Sequence, residues 1–277
     1  GHAAGDALVF EEESALARMA GGESWEVANL GVGHTESQLT TSARSTALWP
    51  AHLVDQWVTH MSFYHFHDTS VESPLRGHGR QEESDSLRSD GRNLAPVLYQ
   101  MANSSNDVDR AAFDRITRIL QQVAPFVKSL VPALTEPGDA RRSLVRLDWI
   151  DQRDERFGVH QLSDGTLRLI ALITALTQPL DRLPWFVCID EPELGLHPAA
   201  VATLAGLVRS ASARCQVLLA TQSPALLDEF GADDVVVVEN HAGESVFRPQ
   251  DSASLAAWLE EYRLSDLYQR NVLGGRP

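Results

Sequence analysis

The sequence predicts an α/β fold in which a mostly parallel sheet is flanked by helices. From residue 161 onward, apolar helical stretches alternate with short strands that are apolar throughout. Such strands are typical of a parallel sheet covered on both faces. A hydrophobic share of 43% in 277 residues is enough for a substantial core. The predicted helices span residues 166–176, 199–209 and 224–230, and the predicted strands span residues 186–189, 217–220 and 235–238.

The first 160 residues carry weaker patterns. Runs within 24–39 and 57–67 favour strands, residues 77–93 have the composition of an exposed loop, and 94–131 show helical spacing. Residues 251–268 predict an amphipathic C-terminal helix. We therefore expect three parts: 1–76, the remainder of an N-terminal β-rich lobe; 77–160, a linker and helical lobe; and 161–277, an α/β core with a terminal helix.

The beginning of the chain has the character of an internal segment. It lacks an initiating Met, and Gly1-His2 resembles a cloning scar. We therefore expect the N-terminal part of the fold to be missing.

Composition argues against several classes of protein. The formal net charge of −15 should repel nucleic acid unless a local basic patch overrides it. No apolar run approaches the roughly 20 residues that span a bilayer, so we expect no membrane partner. Cys188 and Cys215 do not form a metal-like or redox-like pair, which favours a reduced cytoplasmic location.

Two adjacent carboxylates follow the predicted strand 186–189. Asp190 and Glu191 stand at its C-terminal end, where parallel strands present ligand sites. One carboxylate can hold Mg²⁺ through water while its neighbour, pointing the other way, deprotonates an attacking water. We assign the first role to Asp190 and the second to Glu191. Taken alone, the segment is equally well explained as a solvated acidic turn.

Two further segments strengthen this interpretation. Ser163, Asp164 and Gly165 form a turn that runs directly into an apolar helix, which offers free N–H groups to an anion. As a purely structural device, Ser163 or Asp164 would be an N-cap. Strand 217–220 ends in Thr221-Gln222-Ser223-Pro224, and its tip lies beside Asp190 if the two strands are neighbours.

In this order, LSDGT, FVCIDEPELGLHP and LLATQSP resemble the signature, Walker B, D-loop and switch segments of ABC-type ATPases. The chain is similar to the SMC/RecF-like "AAA family ATPase" group, which includes the nucleotide domains of overcoming-lysogenization-defect proteins. The match is tight from residue 161 to residue 230. The resemblance implies an ABC-type ATPase fold whose helical lobe carries the signature motif.

The resemblance also implies roles and partners. Asp190 would bind Mg²⁺, Glu191 and Gln222 would be catalytic, and Ser163, Asp164 and Gly165 would bind ATP held by a second protomer. His197, in the D-loop at 194–197, would lie at the same homodimer interface. Gln222 replaces the usual histidine of the switch, so it can donate a hydrogen bond but cannot titrate near neutral pH. DNA or a separate effector protein would be the further partner, in DNA maintenance or phage defence.

A phosphate-binding P-loop of the form GxxxxGK[ST] does not occur in the sequence. Lys128, the only lysine, follows Ala-Pro-Phe-Val, and we expect it to be an exposed helix charge. We therefore expect no ATP hydrolysis by this chain alone. The alternative is a non-catalytic interaction module. A transporter ATPase is disfavoured by the sequence of the LSDGT motif and by the GLHP D-loop.

Two other clusters have structural explanations. His65, His67 and Asp68 have no evident third ligand of suitable spacing, which favours packed histidines over a metal site. A basic stretch precedes the signature, but intervening acidic residues favour a salt-bridged surface over a DNA contact. It consists of Arg141, Arg142, Arg146, Arg153 and Arg156.

Overall fold

The computed structural model describes residues 2–4, 7–44, 48–135 and 143–275. The chain divides into two compact units, Gly1–Met61 and Ser62–Pro277. The three parts expected from the sequence, with boundaries after residues 76 and 160, stay a prediction. Arg141 and Arg142 of the basic stretch lie outside the described residues.

The first unit is built from short antiparallel strand pairs and two helices. β1 pairs with β2, and β3 pairs with β4 with an irregularity after Glu13. Ala15 and Ala28 pack with Ala51 of the second helix in a small core. The elements are β1 (His2–Ala4), β2 (Ala7–Val9), β3 (Glu13–Ala17), β4 (Glu26–Gly31), α1 (Leu39–Ser42) and α2 (Trp49–Thr59).

The second unit holds the α/β alternation. Its strands are β5 (Met61–Tyr64), β6 (Gly79–Arg80), β7 (Val127–Leu134), β8 (Leu144–Asp151), β9 (Arg156–Gly158), β10 (Phe186–Asp190), β11 (Gln216–Ala220), β12 (Val236–His241) and β13 (Glu244–Pro249). Its helices are α3 (Leu94–Asn103), α4 (Asp107–Val123), α5 (Asp164–Thr177), α6 (Pro198–Ser212), α7 (Pro224–Leu227), α8 (Ala256–Leu259) and α9 (Leu264–Gln269).

These strands form two sheets and a hairpin. The first sheet has the order β11-β10-β5, with β10 and β11 parallel. The second is antiparallel, with the order β6-β8-β7 and β9 paired to β8. β12 and β13 form a separate antiparallel hairpin. The predicted α/β class, with a parallel pair of strands and flanking helices, is confirmed.

Helix α5 is the centre of the main core. Every residue from Leu167 to Thr177 is buried, so the helix is enclosed on all sides. A helix that is apolar all round is stable only when surrounded by other elements, and α5 packs against α3, α4 and α6. Val187 and Ile189 of β10 join the same core. The first turn of α5 therefore begins a helix that the surrounding core holds rigidly in place.

Several predicted elements are wrong in detail. β12 does not join the parallel sheet but pairs with β13. Residues 127–134, within the predicted helical lobe, form a strand, and Lys128 is an exposed strand residue paired with Asp154. Residues 57–59 end α2 rather than begin a strand. The predicted C-terminal helix is two short helices, α8 and α9.

None of the helices among the described residues combines the length and apolar character needed to cross a membrane.

Candidate functional site

The parallel pairing of β10 and β11 brings the predicted strand-tip residues together. Asp190 is in register with Ala220, and the backbone N–H of Glu191 donates to the carbonyl of Ala220 over 2.8 Å. Asp190-Glu191 therefore leaves the sheet beside Thr221-Gln222. Gln222 is exposed to solvent. The predicted proximity of these two segments is confirmed.

Glu191 has an unusual backbone conformation. Its φ of +40° is in the left-handed region, which costs a residue with a Cβ about 1 kcal/mol or more. Two hydrogen bonds hold the turn, because Glu191 donates to Ala220 and its own carbonyl accepts from Leu194 N over 3.1 Å. The chain therefore changes direction sharply between Asp190 and Glu191, and both carboxylates project from this turn.

His67 is a residue of this site that the sequence analysis discounted as a metal ligand. Its Nε2 lies 2.9 Å from the carbonyl oxygen of Asp190 and 4.0 Å from the Asp190 carboxylate. His67 follows β5, the other neighbour of β10. The tips of all three strands of this sheet thus supply polar side chains. The sequence signal for this residue was the alternation of His65 and His67 just after a strand.

Glu193 and Thr221 connect the two strand tips. Thr221 Oγ1 donates to Glu193 Oε1 over 2.7 Å and accepts from Ser223 N over 3.0 Å. Ser223 caps α7 by accepting from Leu226 N. The two neighbours of Gln222 in the chain, Thr221 and Ser223, are therefore both held by hydrogen bonds, which fixes the position of the Gln222 backbone. The sequence analysis gave no role to either Glu193 or Thr221.

The second group of predicted residues lies at the start of α5. Ser163 is the N-cap and accepts from Thr166 N over 3.2 Å, as the structural interpretation of the turn expects. Asp164 is exposed but forms an ion pair with Arg76, which is buried. Arg76 also donates to the carbonyls of Thr69, Val159 and Leu162. This turn therefore combines an exposed anionic side chain with a rigid backbone.

The α5 start contacts the predicted D-loop within the same chain. A Cβ added to Gly165 would overlap the carbonyl oxygen of Gly195. Gly195 itself has a φ of +74°, and a Cβ there would meet Arg168. Glycine is therefore required at both positions for this close approach. His197, two residues on, is exposed and caps α6 through Nδ1, which accepts from Ala199 N.

Arg168 joins the two groups of residues. Its side chain is buried and donates to the carbonyls of Phe66 over 2.7 Å and His67 over 2.9 Å, and also to the carbonyl of Leu194. Burial lowers the pKa of Arg168, and the nearby Asp164 carboxylate opposes that shift. Through one guanidinium, helix α5, the His67 segment and the predicted D-loop are held together.

The close approach of Gly165 and Gly195 predicts a specific stability effect. Gly165→Ala should lower the free energy of unfolding by about 1–3 kcal/mol, because backbone must move to admit the methyl group. Gly206→Ala is the matched control in α6, where an added Cβ meets nothing within 4 Å. That control should be neutral or stabilising by up to about 1 kcal/mol. Urea denaturation measures both, and equal effects would contradict the proposed packing.

The residues at the strand tips are of the types that suit Mg²⁺ and a bound water, and the α5 start suits an anion. Asp190, at the end of β10, has 45% of its side chain exposed. Among the described residues, no group of three His, Cys, Asp or Glu side chains is placed to hold a metal ion by protein ligands alone. A cation here would therefore keep water or phosphate ligands.

Sequence comparison gives one family. The model of the family described as "AAA domain, putative AbiEii toxin, Type IV TA system" matches residues 67–228. None of the curated proteins matches the chain.

Similar solved structures include two SMC ATPases and an archaeal complex. One, from work on ATP-driven dimerization and DNA-stimulated activation of SMC ATPases, is 19% identical, with 55% of this chain and 91% of that chain covered and a TM-score of 0.42. The Smc head domain of Pyrococcus yayanosii, with a coiled coil and joint, is 20% identical, with 55% and 29% covered and a TM-score of 0.43. The complex of archaeal stalk protein aP1 with recycling factor aABCE1 is 14% identical, with 84% and 36% covered and a TM-score of 0.42.

Proposed function

This chain belongs to that AAA-domain family, and on this premise we propose that it provides the Mg²⁺-binding, water-activating and signature parts of a composite ATP site. The observation that supports the proposal is the register of β10 and β11, which places Asp190 and Glu191 beside Thr221 and Gln222. The remaining part, a P-loop, comes from a segment outside this sequence. The whole is an ATP-hydrolysing molecular switch.

Each residue at the strand tips has a role that suits its position. Asp190 would hold Mg²⁺, directly or through a bound water, and His67 fixes the Asp190 backbone. When bound, Mg²⁺ supplies charge neutralisation for the phosphates. Glu191 accepts a proton from the attacking water. Gln222 donates a hydrogen bond to a phosphate oxygen or orients that water.

The start of α5 acts on the nucleotide of a second protomer. Ser163 and Gly165 present hydroxyl and backbone N–H groups at the positive end of a 14-residue helix. Asp164 shapes this turn through its pair with Arg76, and His197 lies on the adjoining D-loop. The two protomers thus form a head-to-head homodimer with two ATP molecules between them.

The motion produced by ATP binding and release acts on a further partner. Because the net charge of −15 repels nucleic acid, a separate effector protein fits better than direct DNA binding by this chain. A role in DNA maintenance or phage defence belongs to this proposal. Both cysteines are free thiols, which suits the reducing cytoplasmic setting expected from the sequence.

ATP hydrolysis and dimerisation by this chain should be compared with those of a form extended by the codons upstream of Gly1. The extended form is expected to hydrolyse ATP and to dimerise with ATP, and the 277-residue chain is expected to do neither. Hydrolysis would be measured by phosphate release and dimerisation by light scattering. If the extended form contains a P-loop and still neither binds nor hydrolyses ATP, the proposal is wrong.

The second candidate function is a non-catalytic interaction module. The absence of GxxxxGK[ST] from the sequence favours it. In that case the extended form would lack a P-loop as well, and substitutions at Glu191 would leave partner binding unchanged.

A further inference from the structure

The hairpin β12-β13 has one buried face and one exposed face. On the buried face, Val237 lies in a small core with Leu267. On the other face, Val238 is in register with Phe247, and the two residues are 48% and 66% exposed. Val236 lies on the same face and is 50% exposed. The hairpin therefore presents a stripe of apolar side chains next to the outer edge of β13.

The outer edge of β13 carries unpaired backbone groups. Gln250 N donates to Val235 O across the hairpin, and in an antiparallel ladder the pairs that exchange hydrogen bonds alternate with pairs that do not. The even-numbered residues of β13 therefore bond to β12, and the N–H and C=O groups of Ser245 and Phe247 point away from it. Among the described residues, β12 is the only strand that pairs with β13.

This edge lacks the features that commonly prevent strand addition, namely a lysine, a bulge or an early proline. The only lysine, Lys128, lies on β7. The hairpin has no irregularity between the pair Val236–Pro249 and the turn. Pro249 is the last residue of β13 and follows both residues whose N–H groups point outward. Because an isolated two-stranded hairpin is only marginally stable in water, a further strand at this edge would stabilise it.

We propose that β13 pairs antiparallel with β13 of a second copy of this chain, across a two-fold axis through Val246, so that the two hairpins form one continuous sheet. In this register Ser245 lies opposite Phe247 of the partner subunit, and each such pair exchanges two backbone hydrogen bonds. The N–H group that Pro249 lacks is not required. The two Phe247 rings are diagonal neighbours on the exposed face, within reach of each other. Such an interface is isologous and closes with two copies.

The charges on the other face favour the same register. Glu244 lies opposite Arg248 of the partner subunit, and the symmetry repeats this pair. Arg248 is 53% exposed beside Glu239, with which it forms an ion pair at 2.9 Å, so its guanidinium is accessible to a second carboxylate. A shift of the register by two residues would place Arg248 opposite Val246 and lose both new ion pairs. Opposite charges directly across neighbouring strands are favourable and like charges are not, so the sequence of β13 is complementary to itself.

This contact is separate from the ATP-dependent dimer proposed above. It uses no residue of the strand tips or of the start of α5, and it needs no nucleotide. Addition of ATP to the 277-residue chain should therefore leave the association through β13 unchanged. In an extended form with a P-loop the two contacts would act together, and β13 pairing would join ATP-held dimers to one another.

The molar mass of the 277-residue chain without ATP tests the proposal. In sedimentation equilibrium it should rise with concentration toward about 61 kDa, twice the 30.4 kDa of one chain. Glu244→Arg and Arg248→Glu should each weaken association about tenfold or more, because each places like charges opposite one another. Glu260→Arg is the matched control at an exposed position at the end of α8 and should have no effect. Circular dichroism verifies the fold of each variant.

An equimolar mixture of the two charge variants provides a rescue. In the mixed dimer the altered position 244 faces the altered position 248 with the opposite charge, and the two unaltered positions face each other as before. Association should therefore return to about the level of the unchanged chain, although each variant alone associates weakly.

Cysteine cross-linking tests the register. Val246 lies opposite its own copy in a pair without hydrogen bonds, where the two Cα atoms are about 4.5 Å apart. Val246→Cys should therefore form an intermolecular disulfide under mild oxidation. Ser245→Cys is the matched control, because position 245 is more exposed but offset by two residues from its copy, and it should cross-link about tenfold or more slowly. The unchanged chain, with Cys188 and Cys215, gives the background.

Two results would overturn the proposal. One is a chain that stays monomeric at every concentration and cross-links at neither position. The other is a dimer that both charge variants leave intact, or that cross-links equally through Ser245→Cys and Val246→Cys, since its interface would lie elsewhere. The cysteine variants retain Glu244 and Arg248, so they decide the question even if a charge variant is unstable.

Discussion

Glu191→Gln is expected to lower ATP turnover by about 10²- to 10⁴-fold in a form of the protein that contains a P-loop, while ATP-held dimers persist. The substitution removes the group that accepts the proton from water but preserves size and polarity. Asp190, the proposed Mg²⁺ ligand, is unchanged, so nucleotide binding should survive. Single-turnover phosphate release measures the chemical step, and light scattering with ATP measures the dimer.

One control variant and one comparison variant separate the loss of the base from other effects. Glu260→Gln alters an exposed glutamate at the end of α8 and should leave turnover unchanged. Asp190→Asn should weaken Mg²⁺-dependent ATP binding as well as turnover, because it removes a carboxylate ligand. Unchanged turnover in Glu191→Gln would exclude Glu191 as the base, and loss of ATP binding in that variant would indicate a structural role instead.

The parts of the site that could be predicted are those encoded by short segments. Asp190 and Glu191 follow an apolar strand, and Ser163 precedes an apolar helix, so local pattern is sufficient to place each at a strand end or a helix start. The parallel register of β10 and β11 then makes neighbours of two segments that were predicted independently. Agreement between the local patterns and the sheet is why the proximity of these two segments could be predicted, and the roles of the residues stay a prediction.

The residues that were missed act over long separations. Arg168 bonds to Phe66, 102 positions away, and Arg76 bonds to Leu162, 86 positions away. No periodicity encodes such a contact. One signal was present, however: Arg168 is the only charged residue from Leu167 to Thr177, the fully buried part of α5. A buried arginine needs several acceptors, so its presence there indicates a network.

The error at β12 has a different cause. Four consecutive valines predict a buried strand but do not specify its neighbour. The following residues specify it, since Ala242 and Gly243 both have positive φ and form a two-residue turn into β13.

The antiparallel sheet β6-β8-β7 was missed because α4 is followed, after three residues, by a strand that contains Pro132. Proline is tolerated there because β7 is the last strand in the order β6-β8-β7.

Arg168→Lys is expected to lower the free energy of unfolding by about 2–4 kcal/mol, although the charge is conserved. The guanidinium of Arg168 reaches three carbonyls in two separate segments, those of Phe66 and His67 in one and that of Leu194 in the other. A compact ammonium group on a different stem cannot satisfy all three, so buried acceptors lose their donor. The effect is measured by urea denaturation. Arg209→Lys is the matched control, since Arg209 is 54% exposed on α6, and it should change stability by less than about 0.5 kcal/mol.

The same substitution should also loosen the D-loop locally. Arg168 holds the carbonyl of Leu194, and Leu196 N donates to Glu193 O over 2.9 Å within the same turn. Without the arginine, amide hydrogen exchange at residues 193–197 should accelerate more than exchange in α6, because the turn loses its anchor to α5. A uniform acceleration would mean that Arg168 stabilises the whole unit without positioning the D-loop. Since Gly165 lies close to Gly195, release of this turn would also move the start of α5 relative to Glu191. A stability measurement is thereby linked to the geometry of the proposed ATP site.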